Sequence, residues 1–569
     1  MYLQTKNFIF SLFSYNKCEK SLFNKINLSK VIISFLSGTL YSLALPPCNL
    51  EILAFVSLVP LLFIIVNENT KKATLLGWFW GMGWVVFSFQ FLREINPLIP
   101  YLLAPVLGIW PALFASCIPF LYQKIVKNNS LEIKFGNFAI FAISSAALFV
   151  LLEWTRSRLF VWNDFAITQW QNTNLIQIAK YTGSYGINFV VTLGNFAVFS
   201  LIYRKKVKFF FIFFTIFYLV LFMLGDSLKK CRPCGKNFKR YSFLAIQGDL
   251  SQRRHATTNQ AIEALDKYKN LTIKAIKENQ GSFDTIIWPE SAIPLLYLSE
   301  INLSNATRLT EYGQLCLSYQ TIVKELTKYA QANLLFGAID TIKVTLPDNT
   351  QVTGTTNSAF LLDKDGNIKE RYDKTHRVPF GEYIPFRHLL PNFIINYIDM
   401  GRDLVPGTRF TPFNLGKNIK GGIIICYEGV FGYLTRKIAN NGANVLIALS
   451  NDAWYPVSSE PEQHLANALI RCIETNLPMV RCGNNGGTLI ITQNGEITNV
   501  LETLGNELAY LRRGAGYKVL NLNIPTEPEK TFYLKYGEWF IALLALFTLI
   551  GTLLAVKNYL KEDTQNPKK

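Results

Sequence analysis

At 569 residues the chain is too long for one ordinary core, and it is half hydrophobic and 14% aromatic, a composition that points to a membrane protein. The net charge of +18 raises the question of nucleic acid, yet residues 227–535 carry only +7 of it and the hydrophobic remainder +11, in short loops where membrane topology accounts for it. With no zinc-finger spacing and no RNA-binding signature, no nucleic-acid partner is expected, and nine cysteines in this length exclude a disulfide scaffold.

In chain order, apolar runs near 31–49, 52–66, 74–92, 99–122, 136–152, 187–203, 207–225 and 539–556 predict eight membrane spans, the second of them short against the roughly 20 residues a helix needs to cross the hydrocarbon core. The first is not a signal peptide, because some thirty residues with scattered lysines precede it and a second apolar run follows at once. Eighteen basic residues fall on one side of this frame, from Lys6 and Lys17 in the N-terminal arm through Arg204 and Lys205 to Lys568 and Lys569. The alternate short loops hold only Arg93, Arg156, Arg158 and Lys180. The positive-inside rule makes the first side cytoplasmic. The expected order is therefore a cytoplasmic arm at 1–30 and a membrane domain with seven helices at 31–226. An outward-facing domain at 227–535, an eighth helix at 539–556 and a cytoplasmic tail at 557–569 complete it.

The loop from Glu153 to Gly186 carries Trp154, Trp162 and Trp170, which predict a belt at the lipid–water boundary; the alternative is a lipid-substrate entrance beneath the outer domain. Glu153 and Arg156 have the spacing of a helical pair. Cys231 and Cys234 form a C-x-x-C without a second pair to complete a zinc site, so a local disulfide or two idle thiols are expected there.

From Tyr241 onward short β-rich runs alternate with amphipathic helices. Strands are predicted at 242–247, 284–289, 333–339, 358–363, 421–427, 444–450, 487–493 and 518–524, and helices at 257–279, 317–332, 430–441 and 460–475. Asp363 to Gly366 and Gln493 to Gly495 read as hairpin turns. Apolar runs with helices between them suggest a layered α/β domain. No Walker loop and no G-x-G-x-x-G opens a helix, so no nucleotide, and no other cofactor or metal, is expected.

Three segments carry candidate chemistry where strands end. In Gly421-Gly-Ile-Ile-Ile-Cys426-Tyr427-Glu428 a buried strand stops at a cysteine and a turn follows, as in a nucleophile elbow; a core cysteine at a strand end is the plain alternative. Trp288-Pro-Glu290 ends a second strand with a carboxylate that a partly desolvated setting would suit to general-base work, against a solvated turn glutamate. Asp373-Lys374 to Glu382 is a charged stretch with rigid Pro and Gly positions, where Lys374 is placed to stabilise an oxyanion and Glu382 to orient it; taken alone it reads as a surface charge run. His376 offers a rival Cys–His mechanism, whereas His464 reads as a polar helix-face residue.

Glu, Lys and Cys in this order resemble the nitrilase superfamily of carbon–nitrogen hydrolases. The membrane part narrows the resemblance to the apolipoprotein N-acyltransferases. It rests on Leu45-Pro-Pro, Ser57-Leu-Val-Pro60, Glu153-Trp-Thr-Arg156, Tyr181-Thr-Gly-Ser-Tyr-Gly186, Gln247-Gly-Asp249, Val378-Pro-Phe-Gly-Glu382, Ser450-Asn-Asp-Ala-Trp454 and the tract from Gln463 to Arg481. One departure stands out: Gln252-Arg-Arg-His255-Ala256 occupies the place where family members often carry a Lys-Trp pair on a lid-like loop.

The resemblance implies an αββα sandwich on the periplasmic side of a bacterial inner membrane, and a ping-pong acyl transfer. Glu290 would take the proton of Cys426, and the thiolate would attack a phospholipid ester. Lys374 would hold the oxyanion, and the thioester would pass its acyl chain to the N-terminal amine of a diacylglyceryl-cysteine lipoprotein. Glu382, Tyr427 and Glu428 match further family positions beside these three. The bilayer, phospholipid and a diacylated apolipoprotein are the implied partners, and a monomer is expected. The rivals are a membrane-tethered amidase with water as acceptor, and a transporter, which the scarcity of ionisable residues within the spans disfavours.

Overall fold

The computed structural model describes residues 27–127, 134–203, 207–230, 235–251, 257–299, 310–345, 349–392, 395, 403–455, 458–501 and 514–565. The C-x-x-C cysteines and the segment around His255 lie outside them. The membrane part comprises α1 (Leu28–Ala44), α2 (Val59–Ile65), α3 (Thr70–Ser88), α4 (Ile99–Leu107), α5 (Ile109–Leu121), α6 (Phe135–Ser157), α7 (Ser184–Tyr203) and α8 (Phe209–Lys230). Among the described residues, five helices are long and apolar enough to cross a membrane: Ile99–Lys127, Phe135–Ser157, Ser184–Tyr203, Phe209–Lys230 and Trp539–Glu562. Leu28–Ala44 and Glu51–Ile65 are apolar but shorter.

Small residues set the membrane packing. A Cβ on Gly38 of α1 would lie 1.9 Å from the Trp80 carbonyl oxygen, and one on Gly83 of α3 2.1 Å from that of Phe35, so α1 and α3 approach as closely as two backbones can. Asn69 caps α3 by accepting from the Lys72 N–H at 3.0 Å.

Among the described residues, the domain from Gly235 to Pro528 is built on two six-stranded sheets. Its strands are β1 (Gly235–Gln247), β2 (Thr285–Ile287), β3 (Asn333–Thr345), β4 (Gln351–Leu362), β5 (Ile368–Asp373), β6 (Phe413–Gly416), β7 (Ile419–Ile425), β8 (Val445–Ser450), β9 (Met479–Gly483), β10 (Leu489–Ile491), β11 (Ile497–Thr498) and β12 (Gly516–Pro528). The sheet orders are β12-β1-β2-β3-β4-β5 and β11-β10-β9-β8-β7-β6. In each, three strands run parallel (β1-β2-β3 and β7-β8-β9) and antiparallel strands flank them, β12 returning from the far end of the domain to pair with β1. Helices α9 (Thr258–Glu278), α10 (Glu311–Ala330), α11 (Gly432–Asn440) and α12 (Glu460–Thr475) follow, and α13 (Trp539–Gln565) ends the described chain. A capping box opens α9, with Thr257 and Gln260 exchanging hydrogen bonds.

Three apolar clusters define the layers. Phe243, Ile287 and Leu335 of the first sheet meet Ile423, Ile425 and Ile447 of the second. Leu244, Ile286 and Phe336 face α9 and α10. Ile424 and Leu446 face α11 and α12, and that cluster is continuous with the core of the membrane helices. The result is an αββα sandwich whose second helix layer rests on the membrane part.

The predicted tryptophan belt is not what forms. Trp162 and Trp170 are buried, at 5% and 3% exposure, and their indoles donate inward, to Gln463 Oε1 at 2.8 Å and Asn49 Oδ1 at 2.9 Å. Trp154 donates to Glu538 Oε2 at 2.9 Å. An indole N–H with a protein acceptor gains nothing from the headgroup region; Trp162 instead joins the membrane part to α12, Trp170 ties the loop to Asn49, and Trp154 ties it to the residue before α13. The Glu153–Arg156 pair forms at 2.6 Å, and Arg156 Nη1 also donates to the Phe160 and Trp162 carbonyls, both at 3.0 Å, which fixes that loop under the catalytic domain.

Candidate active site

In sheets with parallel central strands, functional groups gather outside the carboxyl ends of those strands. Here Glu290 follows β2, Lys374 follows β5, Cys426 follows β7, and Asp452 follows β8.

Lys374 is 2% exposed and lies between two carboxylates, 3.2 Å from Glu290 Oε1 and 2.9 Å from Glu382 Oε1. Burial opposes its charge, but the two glutamates outweigh that and hold its pKa well above the ordinary lysine value, so it stays a cation. Asn357, inside β4, donates through one amide nitrogen to Glu290 Oε1 at 2.7 Å and to Glu382 Oε1 at 3.1 Å. Glu382 is steadied by the Val378 N–H at 2.8 Å. One lysine therefore serves two carboxylates that an asparagine spaces.

Cys426 has φ +49°, a left-handed conformation that a non-glycine residue holds only under constraint. That is the backbone of an elbow. Burial and the Glu290 carboxylate push its thiol well above the usual cysteine value, while Lys374 pulls the other way. At rest Cys426 is thus a neutral thiol, which would need a base before it could attack. Glu428 ties this elbow to the lysine segment: its carboxylate accepts from the Ile425 N–H at 2.9 Å, the Thr375 N–H at 2.7 Å, the Thr375 hydroxyl at 2.8 Å, the His376 N–H at 3.2 Å and the Tyr372 hydroxyl at 2.8 Å. Tyr427 stacks on Trp162 with centroids 6.0 Å apart and 22° between planes, and its hydroxyl donates to the Val161 carbonyl at 3.4 Å.

The structure thus brings Glu290, Lys374 and Glu382 into direct contact, holds Cys426 within electrostatic reach of Glu290 and Lys374, and ties Glu428 to the segment after Lys374, while Tyr427 turns to Val161 and Trp162. His376 does not join: its ring lies 3.7 Å from that of Phe431, its Nδ1 is 2.8 Å from the Tyr433 hydroxyl, and burial with Lys374 lowers its pKa to about 4. His464 departs from the polar helix face expected for it. It is 1% exposed, with Nε2 2.9 Å from the Cys426 carbonyl and Nδ1 3.1 Å from Asp452 Oδ1. Ligand-type atoms of Cys426, Asp452 and His464 lie within 4.8 Å of one another, but both ring nitrogens are engaged and Arg481 sits 2.6 Å from Asp452, so the group is an internal hydrogen-bond network.

Sequence reasoning passed over Asn357, Asp452 and Arg481 as individual residues. The available signal was the Arg481 guanidinium inside an otherwise apolar strand, since a polar residue in a buried strand needs partners; Asn357 lies in the polar half of β4, where nothing marks it out.

Residues 37–197 match the family described as the apolipoprotein N-acyltransferase N-terminal domain, and residues 250–511 match the carbon–nitrogen hydrolase family. Relatives extend the likeness over most of the chain. The apolipoprotein N-acyltransferase of Geobacter metallireducens is 27% identical across 92% of this chain and 95% of its own. That of Wigglesworthia glossinidia brevipalpis is 29% identical across 84% and 90%, and that of Haemophilus influenzae 26% across 92% and 94%. With both domain matches in order and relatives aligned nearly end to end, the chain belongs to the apolipoprotein N-acyltransferase family.

Proposed function

We propose that this enzyme moves a fatty acyl chain from a membrane phospholipid, through a thioester on Cys426, to the N-terminal amine of a diacylglyceryl-cysteine lipoprotein. The observation that carries this reading is the buried Glu290–Lys374–Glu382 cluster facing a left-handed cysteine at the seam of two sheets, in a domain whose core continues into apolar membrane helices.

In the first half-reaction Glu290 removes the thiol proton as sulfur attacks the ester carbonyl. The tetrahedral oxyanion forms beside Lys374, whose cation is fixed in place before the reaction begins, the condition under which such stabilisation is strongest. Collapse breaks the ester C–O bond, and the proton held by Glu290 leaves with the lysophospholipid. In the second half-reaction the amine attacks the thioester, Glu290 takes its proton, and the thiol returns. Splitting the transfer in two is the gain of covalent catalysis. Glu382 holds Lys374, Glu428 holds the elbow, and Tyr427 with Trp162 forms an aromatic wall where the membrane part meets the site.

In this proposal the chain crosses a bacterial inner membrane eight times, with both termini cytoplasmic and the catalytic domain periplasmic. The excess of basic residues on one side of the spans supports that orientation. The six site residues come from one chain, so a monomer suffices.

Purified enzyme incubated with phospholipid and a diacylated lipopeptide tests the reaction class. N-acyl lipopeptide with stoichiometric lysophospholipid is expected. Release of free fatty acid without N-acylated product would instead make the protein a membrane-tethered hydrolase.

A further inference from the structure

The buried group beneath the elbow contains a cysteine, a histidine and an aspartate, yet its hydrogen bonds are arranged for something other than thiol activation. His464 projects from α12, and its Nε2 lies 2.9 Å from the carbonyl oxygen of Cys426. A carbonyl only accepts, so Nε2 carries a proton and donates it to the backbone. On the far side of the ring, Nδ1 faces Asp452 Oδ1 at 3.1 Å and Glu460 Oε1 at 3.6 Å. Arg481 Nη2 reaches Asp452 Oδ2 at 2.6 Å and approaches Nδ1 at 3.3 Å. Trp162 covers the ring at a centroid distance of 6.0 Å. All four of the residues His464, Asp452, Glu460 and Arg481 are at most 4% exposed.

A left-handed conformation in a non-glycine residue is strained and persists only where its surroundings fix it. At Cys426 two buried side chains do so from opposite ends. Glu428 accepts the N–H of the preceding Ile425, and His464 donates to the carbonyl of Cys426 itself. We propose that His464 is a positioning residue: through the Cys426 carbonyl, and with Asp452 and Arg481 holding its ring, it keeps the elbow turned so that the thiol faces Glu290 and Lys374. It is not the base, because the nitrogen that a base would direct at sulfur is bonded to the backbone. The proposal rests on Cys426 being the nucleophile.

Glutamine and asparagine separate positioning from proton transfer. The amide nitrogen of Gln falls near the place of Nε2, whereas that of Asn falls near Nδ1. With the full-length enzyme in lipid nanodiscs, His464→Ala should slow thioester formation from phospholipid about 100-fold, the scale of a small misplacement of a reacting group. KM should stay within about twofold, since no substrate contact is removed. His464→Gln should recover about tenfold of that loss, the worth of one hydrogen bond. His464→Asn should not. The pH midpoint for alkylation of Cys426 by iodoacetamide should match wild type in His464→Gln.

Equal loss in Gln and Asn with a displaced midpoint would make His464 a proton carrier and overturn the proposal. Wild-type rates in His464→Ala would also overturn it. If His464→Ala does not accumulate, the Gln-against-Asn comparison still decides. Retained thioester formation in Cys426→Ala would instead sink the nucleophile reading, whatever the His464 variants do.

Discussion

The two sheets contribute different things to one crevice. The first, through β2, β4 and β5, brings Glu290, Asn357 and Lys374: charges and an amide, joined by direct hydrogen bonds of 2.7 to 3.2 Å. The second, through β7, β8 and β9, brings Cys426, Asp452 and Arg481: a thiol on a constrained backbone and the network beneath it. Neither sheet alone holds a reactive set. The charges have nothing to activate without the thiol, and the thiol, held above its usual pKa, stays protonated without a base. Glu428 bridges them, accepting from Ile425 on one side and from Tyr372, Thr375 and His376 on the other. The two sheets share the apolar cluster between them, and that common packing holds residues distant in sequence to the tolerance a reaction requires.

Removing the second sheet's contribution should have the largest effect. Cys426→Ala should abolish N-acylation of a lipopeptide, and Cys426→Ser should leave little, because the serine hydroxyl is a far weaker nucleophile. The proposed base on the first sheet comes next: Glu290→Gln should cost about 100- to 10,000-fold in transfer. The same variant sharpens the contrast. The Glu290 charge raises the thiol pKa, so neutralising it favours thiolate and should move the onset of iodoacetamide alkylation to lower pH even as transfer is lost. An unmoved onset would mean that the two sheets do not communicate electrostatically.

Lys374→Ala should cost about 100- to 1,000-fold in kcat. It should also lower the melting temperature, since two buried carboxylates lose their counter-charge, a change that typically costs about 3–5 kcal/mol. Near-normal turnover in that variant would remove Lys374 from the mechanism. A smaller effect is expected for Asn357→Ala, about tenfold in kcat, because Glu290 keeps its lysine but loses one charge-assisted hydrogen bond.

Least should come from the joint with the membrane part. Gln463 accepts from Trp162 and Asn163 and donates to the Pro46 and Ser88 carbonyls. Gln463→Ala should lower stability in detergent by about 1–3 kcal/mol, read as a reduced melting temperature, with kcat changed less than in any variant above.

Much of this was legible in the chain. Glu290 and Cys426 sit at strand ends that hydrophobic runs announce, and the helix predicted at 460–475 forms over those residues, with Pro461 in its first turn and Asn476 at its end. Strands that carry charge were not legible. β5, Ile368–Asp373, is an edge strand with Lys369, Glu370 and Arg371 in a row, a pattern that suits a solvated edge and hides its pairing with β4. β9 contains Arg481, whose charge breaks the apolar run although the side chain is 1% exposed. His464 failed for the same reason in reverse. A polar side chain on a helix is read as facing water, and only the packing of α12 between the second sheet and the membrane helices turns it inward. The tryptophans of the 153–186 loop followed the interfacial rule until their acceptors, Gln463 and Asn49, could be located far away in sequence.

The claim that charges from one sheet act on a thiol from the other is tested most directly by the mass of the acyl-enzyme. After brief exposure to phospholipid at neutral pH, wild-type protein should carry one fatty-acyl group on the peptide containing Cys426. Glu290→Gln, under the same conditions, should carry little or none. An acyl group on a different residue, or equal acylation of Cys426 in Glu290→Gln, would contradict the account.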